Sequence, residues 1–181
     1  MKTKEEELIE ACKNNNSEAF RQIYDMYAPK MMGICMRYMR NRVEAEDVLQ
    51  DGFIKVYLNI RKYRYEGSFE GWIKRIMINL AINRLRDEAR REYKLLDNEE
   101  IAEIKDNEYD NGYENDYRYS ADEMLNAIQK LSNMNRMIFN LAEIEGFSYK
   151  EIAEQLNLSE HTVRATLSRA KTILRMKLEE N

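Results

Sequence analysis

Apolar residues recur along this chain at three- and four-residue spacing, the period of a helix that buries one face. From Ser17, read as a helix cap, the inward positions are Phe20, Ile23, Tyr24 and Tyr27. Pro29 either interrupts that helix or opens the next, which carries Met32, Cys35, Met36 and Met39. A polar turn at Asn41-Arg42 leads to a third stripe of Ala45, Val48, Leu49, Phe53, Val56 and Tyr57. After a loop from Tyr63 to Gly67, Ser68 caps a fourth helix with Phe69, Trp72, Ile73, Ile76 and Leu80 inward. Four such helices make a compact bundle whose methionines fill gaps. Strand-type alternation is hard to find, so the expected fold class is all-α.

The C-terminal part shows sharper local chemistry. Ile128, Leu131, Met137, Ile138, Leu141 and Ala142 form an apolar run that Gly146 ends. Ser148-Tyr149-Lys150-Glu151 reads as a capping box that opens a short helix packed through Ile152, Ala153 and Leu156. Asn157 suits a left-handed turn position, Leu158 plugs the turn, and Ser159 caps the next helix. That helix buries Val163, Leu167, Ala170 and Leu174 and turns His161, Thr162, Arg164, Ser168, Arg169 and Lys171 to its other faces. Small polar and long cationic side chains together suit a helix lying in the DNA major groove. The pattern predicts a helix-turn-helix, with His161 either a groove contact or an exposed residue without a role.

The net charge of −4 changes meaning once it is localised. Nine of the 33 acidic and two of the 29 basic residues lie between Leu95 and Tyr119, so the rest carries 27 cations against 24 anions, net +3. Charge distribution, rather than the total, governs attraction to phosphate. The acidic stretch is poor in aliphatics after Ile104 and reads as a solvated tether, with Tyr109, Tyr113 and Tyr117 at four-residue intervals as an alternative contact strip. The expected organisation is therefore a helical domain over 1–94, a linker over 95–119 and a helix-turn-helix domain over 120–181.

No apolar stretch approaches the roughly 20 residues that span a bilayer, and the charged start is not a signal peptide, so a cytoplasmic protein is expected. Cys12 and Cys35 are too few and too far apart for a disulfide framework or a zinc site, and both are read as reduced and structural. No phosphate-binding glycine loop, metal-ligand cluster or nucleophile–base pair points to an enzyme or a cofactor.

Three segments carry a family resemblance. The run from Glu44 to Phe53 (EAEDVLQDGF) resembles the polymerase-binding helix of bacterial sigma factors. The run from Tyr63 to Asn79 (YRYEGSFEGWIKRIMIN) is similar to their promoter-melting segment. Gly146 to Ala153 (GFSYKEIA), followed by Thr162-Val163-Arg164, is similar to their reader of the upstream promoter element. Their order and spacing resemble the extracytoplasmic-function group, which keeps only two of the family's domains.

The resemblance implies a function: binding core RNA polymerase through its largest-subunit coiled coil and its flap, and directing promoter-specific initiation. It implies polymerase contacts from Asp47, Gln50 and Asp51, with exposed parts of Val48 or Phe53 as an apolar anchor. For the −10 element it implies Lys55, Asn59, Tyr63, Ile76 and Asn79 around a flipped base, with Arg75, Asn83, Arg84 and Arg86 on the phosphates. Trp72 is expected in the core rather than as a stacking platform. For the −35 element it implies Ser159, Glu160, His161, Thr162, Arg164, Ala165, Thr166, Ser168 and Arg169, to which the charge pattern adds Lys171. The group is often held by an anti-sigma factor, commonly membrane-bound, and the linker in such proteins threads toward the RNA exit path. The free protein is expected to be a monomer without a small-molecule substrate.

Two departures stand out. Many relatives carry a proline near Ser132 to Asn135, where this chain has none, so a looser helix start is expected there. Ala165 and Ser168 replace residues that are often polar and bulky respectively, so the promoter sequence read need not follow a familiar consensus. A dimeric DNA-binding regulator and a helical adaptor mimicking part of a sigma factor are the competing readings.

Overall fold

A computed structural model of the chain describes residues 3–95 and 119–179, and the side chains of all these except 89–95. The expected tether, with Tyr109, Tyr113 and Tyr117, lies outside the described residues apart from its two ends. The described residues contain helices and no strand. Two compact units divide the chain, Met1–Arg84 and Leu85–Asn181.

The first unit contains α1 (Lys4–Lys13), α2 (Ser17–Tyr38), α3 (Arg42–Asn59), a 3-10 turn (Ile60–Lys62) and the start of α4 (Phe69–Leu95). α1 opens with a capping box: Thr3 Oγ1 accepts from the Glu6 amide, and the Glu6 carboxylate accepts from that of Thr3. It buries Ile9 and Cys12. α2 is capped by Asn16, not Ser17, because the longer Asn16 side chain reaches the Ala19 amide at 3.0 Å. Pro29 neither breaks α2 nor starts a new helix: it lies on the exposed face, where water can take the Asp25 carbonyl it leaves unmet. Asn41 caps α3 through the Glu44 amide, and Ser68 caps α4 through that of Gly71.

Along α4 the inward stripe is rotated from the expected one. Phe69, Ile73, Met77 and Ala81 are buried, whereas Trp72, Ile76 and Leu80 are half-buried. The close approach of α3 explains the rotation. A Cβ on Gly52 would stand 2.1 Å from Met77 Sδ, so only a residue without a side chain lets Met77 pack there. Cys12 and Cys35 are buried free thiols, and burial pushes them up to about 11 and about 12.

In the second unit α8 (Glu160–Glu179) packs against α5 (Ala121–Gln129), α6 (Asn133–Phe139) and α7 (Tyr149–Leu156). Ala127, Ile128 and Leu131 meet Ala170, Leu174 and Leu178 in one apolar cluster. The expected single run from Ile128 is broken between α5 and α6, and a π turn at Asn140–Ile144 follows α6. The start of α6 is tight rather than loose. Ser132 caps it, and the fully buried Arg136 donates to the Gln129 carbonyl at 2.8 Å and to Asn133 Oδ1 at 2.7 Å. The guanidinium thus fixes the turn that a proline would otherwise stiffen.

Candidate nucleic-acid interface

The turn from Tyr63 to Ser68 is a small folded object. Tyr63 is buried and its hydroxyl donates to the Gly67 carbonyl at 2.7 Å. Gly67, at φ 115°, takes a backbone conformation that L-residues rarely adopt. The Tyr63 ring meets those of Phe69 and Trp72 at 5.0 and 5.5 Å, and the Trp72 indole stacks on Phe69. Beside them opens a cleft of about 340 Å3 lined by Lys62, Tyr63, Arg64, Glu66, Gly67, Ser68, Gly71, Trp72 and Arg75. Three cations against one carboxylate make it attractive to phosphate, and the aromatic wall can take the face of a base. Trp72 therefore packs on the core and also faces the cleft. Lys62, Arg64 and Trp72 are cleft residues that sequence reasoning left out of the site.

Tyr63 and Arg75 thus come together with this cleft. Asn79 and Asn83 continue from Arg75 at four-residue steps along an exposed row of α4, with Ile76 and Arg86 half-buried beside it. Lys55 and Asn59 stand at the end of α3, where the Asn59 amide donates to the Lys55 carbonyl at 2.9 Å, and neither lines the cleft. Arg84 turns to another side of α4, where Nη2 lies 3.3 Å from Asp47 Oδ2. The guanidinium expected on a phosphate is thus directed to α3 in this structure.

On α3, Gln50 and Asp51 are exposed, as is Asp47, which meets Arg84. Val48 and Phe53 are only 2% and 3% exposed, so the anchor expected of them is corrected: both belong to the core. The sequence stripe that marked them is the inward face itself. Ile54 and Leu58, 52% and 69% exposed, are among the large apolar side chains that α3 presents outward, with Val43 and Tyr57.

The helix-turn-helix forms as its local chemistry dictates. Ser148 and Glu151 exchange backbone bonds at 2.8 and 3.3 Å, and the Ser148 hydroxyl, donating at 2.7 Å, together with the Ser148 amide holds the Glu151 carboxyl below the usual carboxylate range. Asn157 adopts φ 56° and ψ 50°, and the Leu158 amide bonds the Ala153 carbonyl at 2.9 Å. Leu158 is half-buried at the turn. Ser159 accepts from the Thr162 amide at 3.0 Å and its hydroxyl meets that of Thr162 at 2.8 Å.

On α8, His161, Ala165, Ser168 and Thr172 follow one another along the side opposite Val163, Leu167, Ala170 and Leu174. Glu160, Thr162, Arg164 and Arg169 are exposed, whereas Ala165 and Thr166 are half-buried. Arg164 lies over the Tyr149 ring, 5.6 Å from its centroid, and Lys171 pairs with Glu143 at 2.9 Å. Lys171 is thus tied to the π turn, at the side of the outward row.

Comparison with known proteins agrees with both units. Residues 23–91 match the family model of sigma-70 region 2, and residues 121–174 match that of sigma-70 region 4. The chain is 31% identical over 182 residues to the ECF RNA polymerase sigma-E factor of Haemophilus influenzae, covering 95% of this chain and 94% of that protein. It is 31% identical over 179 residues to the ECF RNA polymerase sigma factor SigW of Bacillus subtilis, covering 95% of each. The fold is similar to that of the sigma factor RpoE solved with the anti-sigma factor NepR from Bartonella quintana. That match has a TM-score of 0.52 at 21% identity and covers 88% of this chain and 96% of that one.

Proposed function

The chain belongs to the extracytoplasmic-function group of sigma-70 family factors, which direct promoter-specific transcription initiation, and we propose how its side chains divide that work. The first unit takes the non-template strand of the −10 element. A base leaves the stack for the cleft beside Trp72 and Tyr63, while Arg64 and Arg75 hold the flanking phosphates and Asn79 reads a base edge. Unstacking costs a few kcal/mol. Stacking on an aromatic side chain returns about 1–3 kcal/mol per base, so a cleft with aromatic and cationic walls can offset it. That cleft, continued by the exposed row Arg75, Asn79 and Asn83, is the observation that carries the reading.

α8 lies in the major groove of the −35 element. His161, Ala165 and Ser168 form the closest row, and Thr162, Arg164 and Arg169 reach bases or phosphates at its flanks. α3 docks on core RNA polymerase through Gln50, Asp51 and the exposed Ile54 and Leu58, with Asp47 at the edge. Partners are core polymerase, promoter DNA and an anti-sigma factor that covers these surfaces when the protein is held inactive. Such a factor can hold the protein at the membrane; among the described residues no helix is long and apolar enough to cross one. The protein acts by binding and catalyses no reaction of its own.

The test separates the two roles of the first unit. Asn79→Ala should weaken promoter opening about tenfold with core binding intact, the cost of one good base contact. Equal loss of both activities would overturn the cleft assignment.

A further inference from the structure

α1 lies outside the segment that matches the region 2 family model, which begins at residue 23. It is nevertheless bonded to the turn that borders the cleft. Tyr65, in that turn, has φ 61°, a left-handed conformation that costs an L-residue with a Cβ. Its hydroxyl donates to Glu10 Oε1 at 2.6 Å. Lys13 Nζ pairs with the same oxygen at 3.0 Å and stands 4.4 Å from the centre of the Tyr65 ring. Glu10, Lys13 and Tyr65 therefore close a triangle of hydrogen bond, ion pair and cation–π contact.

A second tie lies alongside. Arg61 Nε donates to the Lys13 carbonyl at 2.9 Å, and its Nη2 donates to Asn15 Oδ1 at 3.0 Å. The Tyr65 ring then meets that of Tyr63 at 4.9 Å, and Tyr63 forms part of the cleft wall. Tyr65 itself does not line the cleft. Its contacts run toward α1, where they can set the shape of the wall without touching a ligand.

We propose that α1 is a latch for promoter capture: Glu10 and Lys13 are positioning residues that hold Tyr65, and through Tyr63 the cleft wall, in the shape that accepts an unstacked −10 base. The proposal rests on the cleft assignment made above. A latch of this kind places the cost of the left-handed Tyr65 in contacts made before DNA arrives, so the cleft is formed in advance.

The experiment uses the full chain assembled with bacterial core polymerase. The probe is a fluorescent single-stranded oligonucleotide carrying the non-template −10 sequence of a promoter located by start-site mapping. Glu10→Ala and Tyr65→Phe should each weaken capture about three- to tenfold, less than the full worth of a charge-assisted hydrogen bond because the contact acts on the ligand only through Tyr63. The double variant should be no weaker than the worse single one, because both remove the same Tyr65–Glu10 hydrogen bond. Glu10→Gln, which keeps an acceptor for the hydroxyl, should retain most of the capture, and core affinity should be unchanged throughout. Unchanged capture in Glu10→Ala and Tyr65→Phe, with Asn79→Ala losing it, would overturn the latch and leave the cleft assignment standing. Unchanged capture in all three would overturn both. Loss shared by Cys35→Ala, which loosens the same bundle from within α2 and touches none of the Glu10–Lys13–Tyr65 contacts, and tracking the melting midpoint would reduce the contact to a structural one and overturn the latch as well.

Discussion

Arg84 and Asp47 join α4 to α3 through Nη2 and Oδ2 at 3.3 Å, with Arg84 turned away from the row that holds Asn79. Arg84 lies five positions after Asn79, which puts them about 140° apart around the helix. Arg84→Ala should therefore leave capture of a −10 oligonucleotide within about twofold, against about tenfold for Asn79→Ala. Both partners of the pair are partly exposed, so the same change should cost less than about 1 kcal/mol in a urea melt. Equal losses of capture for the two variants would place Arg84 back on the DNA.

Arg136 should matter far more to stability. It is fully buried and gathers the Gln129 carbonyl and Asn133 Oδ1 around the α5–α6 turn. Arg136→Met keeps much of the volume and leaves those acceptors without their donor. Urea denaturation should show a loss of about 3 kcal/mol. Hydrogen exchange should locate the loosening at α5 and α6.

The two buried thiols give an alkaline dependence. Unfolded thiols ionise near pH 9.0, whereas in the native bundle burial pushes Cys12 up to about 11 and Cys35 to about 12. The native state thus keeps protons that the unfolded state releases above pH 9. This stabilisation is fully present below about pH 9 and is lost as pH rises toward 11 and 12, at no more than about 1.4 kcal/mol per pH unit for each thiol. Cys35→Ala should flatten the fall of stability in that window, measured by urea melts at several pH values. The intact native protein should react slowly with a thiol reagent at pH 8.

Much of this was legible because the signals are local. Asn41, Ser68, Ser148, Asn157 and Ser159 each act on a backbone group within a few residues, and each sits where its own chemistry requires. α1 went unread although Thr3 and Glu6 spell a capping box, because its apolar face is short and its charges dominate. Val48 and Phe53 show the limit of a helical stripe: periodicity marks the face that packs, and packing excludes the outward contact expected of them. The direction of Arg84, the burial of Arg136 and the hold of Glu10 on Tyr65 depend on partners distant in sequence or on tertiary burial, and a single chain carries no local signal for them.

Run-off transcription decides whether this chain directs promoter-dependent initiation. Sigma-free bacterial core polymerase is supplied with a fragmented genomic library from the source organism, with and without the protein. Transcripts should start at defined sites only when the protein is present, and the sequences upstream of those sites should align into a −35 and a −10 element. Binding to duplex DNA or to polymerase without any initiation, with a related core and a working positive control, would make the protein a regulator or an adaptor instead.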